Sequence, residues 1–284
     1  MLKIKSFLKH LPLVIIVVLT LIGISCQPQY KTKLIYSCDF SSKDDLNDWK
    51  MEGPGVAKIE NGKLLLHSKY YDDVQTYFNE NNNNFSGNGE DYYDPVETAM
   101  RADLGDDVKN YYYDNKFKGG HLVYWNRFIT PADYIIEFDF KSLSPNALHM
   151  IMFSCTGTEG QDVFSPELKK RWGVAANYTK SDLFNYRISF YSPGRGTSNM
   201  RKCPGRILTI KGEDFTLKNP KGTHHLKVVK QGNTVEWFIN NQLCFKFEDT
   251  LGNQFLKGGQ TALRVMVPAK GLYDNYKIYE ILRD

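Results

Sequence analysis

The chain has 284 residues, 42% of them hydrophobic and 24% charged, the proportions of a globular protein long enough to bury a sizeable core. Its formal net charge is +4, but Lys3, Lys5 and Lys9 lie in an N-terminal segment that reads as a removable signal. Without those three, 33 basic residues face 32 acidic ones, and the mature chain lacks the basic excess of a nucleic-acid binder.

Residues 1–25 run from those lysines through the apolar stretch Leu11–Ile22 to small Gly23 and Ser25, the layout of a secretory signal. Cys26 follows at once, as in a bacterial lipobox, although Gly23 stands where that pattern usually has Leu. The rival reading is a membrane-spanning helix, but the apolar run is shorter than the roughly 20 residues a span requires. Cys26 is therefore expected to carry lipid, with residues 26–33 as a tether. That places the protein in the bacterial cell envelope, on the outer membrane or facing the periplasm.

From Leu34 onward the pattern is strand, turn, strand. LIYSCDF is a first strand, DDLNDWKMEGPG a polar turn region with Trp49 tucked in, and VAKIENGKLLLHS a hairpin turning on Asn61-Gly62. Residues 70–118 break the rhythm with 8 of the 18 Tyr and 11 acidic against 4 basic residues. Their Tyr70-Tyr71, Tyr92-Tyr93 and Tyr111–Tyr113 clusters are too aromatic for a disordered linker. This segment reads as an ordered insertion or lid beside a groove, helical only in DPVETAMRADLG. Asp103, Asp106 and Asp107 hint at calcium but lack the spacing of a calcium loop, so no cofactor or metal is assigned.

After Gly119 the chain carries seven more cations than anions. HLVYWNRF, YIIEFDFKSL, ALHMIMFSC, NYRISFY, ILTIKG, HHLKVVKQG, NTVEWFIN, QLCFKFED, TALRVMVP and YDNYKIYEI read as successive strands, with turns at Gln231–Asn233 and Asn240–Gln242. Only SPELKKRW suggests a short helix. Many evenly spaced strands with polar turns predict an all-β, two-sheet antiparallel jelly-roll sandwich over residues 34–284. Cys38, Cys155, Cys203 and Cys244 form no C-x-x-C pair, which disfavours zinc. Three disulfide pairings or four buried thiols stay open.

The stretch Tyr186–Leu208 reads as two neighbouring strands around a Gly-rich loop. Period-two alternation puts Arg187, Ser189 and Tyr191 on one face, and Asn199 and Arg201 on one face with Met200 and Lys202 opposite. The same reasoning groups His121, Val123, Trp125 and Arg127, and groups Ala262, Arg264 and Met266. If these faces coincide, guanidinium forks that suit carboxylates meet flat aromatic faces that suit sugar rings. The bland alternatives are a core role for Trp125, an interior or rim position for His149, exposed His224 and His225, and ion pairs joining Arg187 or Arg201 to Glu137 or Asp139.

The ordered set HLVYW, YIIEFDF, VFSPELKKRWG, NYRISFY, NMRKCPGRIL, VEWFINN and GGQTALRVM resembles the YesU-like family. That resemblance implies a concanavalin A-like (galectin-like) jelly roll with no assigned activity, found alongside the breakdown of pectin and other polysaccharides. The family positions it carries over are His121, Trp125, Asn185, Tyr186, Asn199, Arg201, Lys202 and Arg264. The family's His after the Tyr and its Arg pair after the strand are replaced here by Arg187 and by Ser192-Pro193.

Three functions follow as expectations. One is a polysaccharide lyase, with His121 or Tyr191 as base and Arg187, Arg201 or Arg264 neutralising charge. A hydrolase would need two carboxylates, for which Glu137 and Asp139 are the best pair. The others are a non-catalytic lectin-like module, with Trp125, Arg187, Asn199, Lys202 and Arg264 binding an acidic polysaccharide, and a structural envelope protein.

Overall fold

Alternating side chains become two antiparallel sheets in the computed structural model, which describes residues 30–81, 92–146, 148–252 and 254–283. The expected export signal, Cys26 and residues 27–29 of the expected tether lie outside the described residues, as do Asn82, Asn83 and Asn84 of the asparagine run. Ahead of the insertion come β1 (Thr32–Cys38), β2 (Trp49–Glu52), β3 (Gly55–Glu60) and β4 (Lys63–Ser68). The insertion contributes α1 (Tyr71–Glu80), α2 (Tyr93–Leu104) and the short strands β5 (Tyr112–Tyr113) and β6 (Lys116–Phe117). There follow β7 (Leu122–Thr130), β8 (Tyr134–Ser142), β9 (His149–Gly157), β10 (Leu183–Phe190), β11 (Thr197–Cys203) and β12 (Ile207–Glu213). The chain closes with β13 (His224–Gln231), β14 (Thr234–Ile239), β15 (Gln242–Glu248), β16 (Gly259–Val265) and β17 (Lys270–Ile281).

One sheet runs β15-β14-β13-β8-β17-β4-β3, with β1 also paired to β17. The other runs β12-β11-β10-β9-β16-β7-β2. Between them lies a core drawn from both: Ile136, Phe138, Trp237 and Ile278 from the first meet Leu122, Ile151, Ile188, Met200 and Leu263 from the second. Trp49 stacks on Tyr124 at 5.3 Å and meets Tyr276 edge-on at 5.0 Å, which anchors the segment read as a polar turn and lets its end pair as β2. The Asn61-Gly62 turn has positive φ at both residues, 52° and 68°, the backbone a two-residue hairpin requires.

Several expectations are corrected. The insertion holds two α-helices, since Tyr71, Val74 and Phe78 recur at helical spacing, and Val74 and Phe78 bury together with Val96 and Met100 of α2. Asp94 and Pro95 suit the first turn of α2, and Gly105 ends it at φ 55°. SPELKKRW forms turns, because Arg171 is drawn to the Glu52 carboxylate at 2.8 and 3.1 Å instead of lying on a helix face. His224 is buried between the Asn219 carbonyl and Asn240. Glu137 and Asp139 lie on β8 of the first sheet, beside His225, and pair with no arginine of the second. All four cysteines from Cys38 to Cys244 are free thiols. Among the described residues no group of His, Cys, Asp and Glu is placed to hold a metal ion, and Asp103 pairs with Lys69.

The Glu52 carboxylate also accepts from the Tyr178 hydroxyl at 2.9 Å, so this cluster ties the segment after β9 to the sheet edge. An Arg171→Ala variant leaves the largely buried Glu52 carboxylate, 12% exposed, with its charge uncompensated, and is expected to lose about 3 kcal/mol, read as a lower urea midpoint with unchanged slope.

Candidate functional site

The second sheet's outer face repeats the pattern of its inner face one residue out of phase. Register places Asn199, Ser189, Met150, Arg264 and Val123 in one row across β11, β10, β9, β16 and β7. The next row reads Arg201, Arg187, Met152, Ala262 and Trp125. Arg187, Arg201, Asn199, Arg264 and Trp125 therefore share one face, although they come from strands far apart in sequence. Arg187 and Arg201 are direct cross-strand partners, a like-charge pairing that disfavours the sheet.

Above the first four of these residues lies a cavity of about 630 Å³. Its floor is the outer face of β16, β9, β10 and β11. Tyr92, Tyr93, Tyr113, Asp114 and Lys118 of the insertion form one wall, and the Ala175–Lys180 segment contributes another. Arg195 from the β10–β11 loop and Arg206 from the β11–β12 turn complete the lining. Seven cationic side chains thus surround a space to which Asp114 contributes the single acidic one among the described lining residues.

Arg264 is 1% exposed. Its Nη1 touches the sulfurs of Met150 and Met266 at 3.3 and 3.4 Å, whereas Nε and Nη2 have no acceptor. Arg187 is 5% exposed. Burial pushes its guanidinium down to about 9, and Arg264, Arg206 and Arg201 push the same way while Cys203 opposes them. Burial also lowers Arg264, Arg195 and Arg201. Arg195 is held by the carbonyls of Thr197 and Ser189 at 2.8 and 3.1 Å, and Arg201 by that of Arg206 at 3.2 Å. Thr197 donates to Asn199 Oδ1 at 2.9 Å. The cavity lining thus presents several positive charges and hydrogen-bond donors.

Other sequence-predicted residues lie elsewhere. His121 is fully buried behind the wall, with Nδ1 accepting the Val267 N–H at 3.2 Å and Nε2 facing the Tyr93 hydroxyl at 3.0 Å; it does not line the cavity. Tyr191 follows the end of β10 with φ 53°, which breaks the alternation and turns its ring into the inter-sheet core, where its hydroxyl donates to the Pro220 carbonyl at 3.3 Å. Trp125 keeps to the outer face but is covered by Val163, Phe164, Leu168 and Tyr178. Lys202 points to the opposite side and is paired with Asp249 at 2.8 Å. Asn185 donates to the Tyr178 carbonyl, and Tyr186 is a core residue that donates to Asp249. Arg195, Arg206, Lys180 and the insertion's tyrosines carry no role in the sequence reading. The only signals for them were a Gly-rich loop and an unusual tyrosine content.

Residues 95–278 match a family model described as Domain of unknown function (DUF1961). Over 261 residues the chain is 25% identical to the uncharacterized protein YesU of Bacillus subtilis (strain 168), covering 88% of this chain and 96% of that one. A solved protein of unknown function with a galectin-like fold from Bacillus subtilis is similar with TM-score 0.69 and 22% identity, over 90% of this chain and 100% of the other. The laminarinase catalytic domain from Thermotoga maritima MSB8, in complex with cetyltrimethylammonium bromide, is similar with TM-score 0.51 and 13% identity, over 89% of this chain and 100% of its own. These likenesses establish a galectin-like jelly roll.

A buried guanidinium without an anion costs stability, and because its folded value is depressed the cost is fully present at neutral pH and lifts only above about pH 9. Arg187→Met removes the charge and the repulsion from Arg201. The ligand-free variant is expected to gain on the order of 2 kcal/mol at pH 7, measured by urea denaturation.

Proposed function

The chain belongs to the DUF1961 family, and from that premise we propose that its cationic cavity binds a carboxylate-bearing, pectin-like polysaccharide at the bacterial cell envelope. The observation that carries this reading is the pair Arg187 and Arg264, both buried beside the cavity and neither matched by an acidic residue among the described residues. Uronate carboxylates supply the missing charge in bidentate geometry. The ring of Tyr113 offers an apolar face to sugars, and Lys180 sits 5.2 Å over that ring. A saccharide as ligand class is supported by the fold shared with a laminarinase catalytic domain. A purely structural envelope role leaves the unpaired guanidiniums without a purpose. Lipid on Cys26 holds the protein on the outer membrane or facing the periplasm, close to incoming polymer.

Isothermal titration with polygalacturonate, set against a neutral glucan, tests the reading. Binding is expected for the acidic polymer alone and weakens as salt rises. Arg187→Ala and Arg201→Ala are each expected to lower affinity by at least about tenfold, roughly 1.4 kcal/mol. Equal affinity for the neutral glucan, or variants that bind as the native chain does, would overturn it.

A further inference from the structure

We infer that Tyr93, oriented by His121, is the proton-abstracting group of a β-elimination that cleaves the bound uronate polymer. The inference rests on the reading above and adds an activity to it. A backbone N–H can only donate, so the 3.2 Å contact from Val267 makes Nδ1 of His121 an acceptor. Burial keeps the His121 ring neutral by holding it well below the ordinary histidine range, and its one proton therefore sits on Nε2. That N–H donates to the Tyr93 oxygen at 3.0 Å. The Tyr93 hydroxyl proton must then point away from His121, and Tyr93 lines the cavity.

Two features favour the phenolate form in the transition state. The Nε2–H donor is fixed on the oxygen in advance, and the Arg264 guanidinium lines the same cavity. The lining also excludes an alternative. Glycoside hydrolysis by the usual route needs two carboxyl groups flanking the bond, and among the described residues the cavity offers one, Asp114. A phenol base and several guanidiniums are instead what elimination beside a carboxylate needs.

In that step Tyr93, having first given its hydroxyl proton to water in the cavity, takes the C5 proton as the phenolate, breaking C–H and forming O–H. The electron pair becomes the C4–C5 double bond as the C4–O bond breaks, while Arg187 and Arg264 hold the charge that builds on the carboxylate. The departing glycosidic oxygen takes a proton from water at the cavity mouth, and Tyr93 returns its proton to water between turnovers. The products are a shortened chain and a fragment ending in an unsaturated uronide.

The test uses the full chain with polygalacturonate, alginate and hyaluronate, measuring binding by titration and unsaturated ends by ultraviolet absorbance. Cleavage of at least one polymer is expected, with unsaturated ends and no saturated product. Tyr93→Phe, checked by melting temperature, is expected to lose at least about a hundredfold in kcat while affinity stays within about threefold. His121→Asn is expected to lower kcat with KM unchanged, as for a positioning residue. Native chain that binds a polymer without forming product, that yields saturated ends, or a folded Tyr93→Phe with full turnover would each overturn the inference. Failure to bind all three polymers sinks the uronate reading itself and is distinguishable from loss of turnover alone.

Discussion

The interior between the sheets permits one phase of each strand. Ile151, Ile188, Met200 and Leu263 have to enter it, because leaving any of them in water forfeits about 1.5–3 kcal/mol apiece. Their neighbours Met150, Arg187, Asn199 and Arg264 are thereby forced onto the outer face, in rows set by backbone pairing. A slip of one residue would drive Arg187 and Arg264 into the sandwich, so the same apolar burial that holds the sheets together also holds the cationic floor in place.

The insertion turns that floor into a cavity. Its helices bury their own tyrosines and aliphatics against Val174, Ala176 and Val267, and in doing so set Tyr92 and Tyr93 over Arg264. His121 serves both parts. It sits next to β7 of the second sheet, accepts the N–H of Val267 after β16, and meets Tyr93 at the start of α2. Gly53 and Gly173, both with positive φ, approach its carbonyl so closely that a Cβ at either would lie 2.3 or 2.1 Å away, which leaves this histidine little freedom to shift.

The cationic cluster is unfavourable for the folded chain taken alone. Like charges are opposed across β10 and β11, guanidiniums are withdrawn from water, and Nε and Nη2 of Arg264 go unmatched. Other buried charges among the described residues are met by an opposite charge, as with Arg171 and Glu52 or Lys202 and Asp249, or by hydrogen bonds, as with Asp214 and Thr216. The contrast sets the charges that hold the fold apart from those at the cavity, and it supports the functional reading more directly than fold likeness does.

The strands from β7 to β17 were legible from period-two alternation, and the faces of Arg187, Asn199, Arg201 and Arg264 followed from it, because the pleat is a local property of the backbone. Local pattern could not say what covers a face. Trp125 shares the floor's phase yet is roofed by residues 163–178, and Tyr191 left the phase through a single left-handed φ. Lys202 stayed in phase on the far side and found Asp249, 47 positions away. The pairing of His121 with Tyr93 joins segments 28 residues apart, and the convergence of Arg195, Arg206 and the tyrosines needed loops and helices to close over the sheet. Sequence alone determined the sheets and which side of each strand is charged; the tertiary structure alone decided which charged sides share a cavity, because that depends on contacts between segments with no local signature.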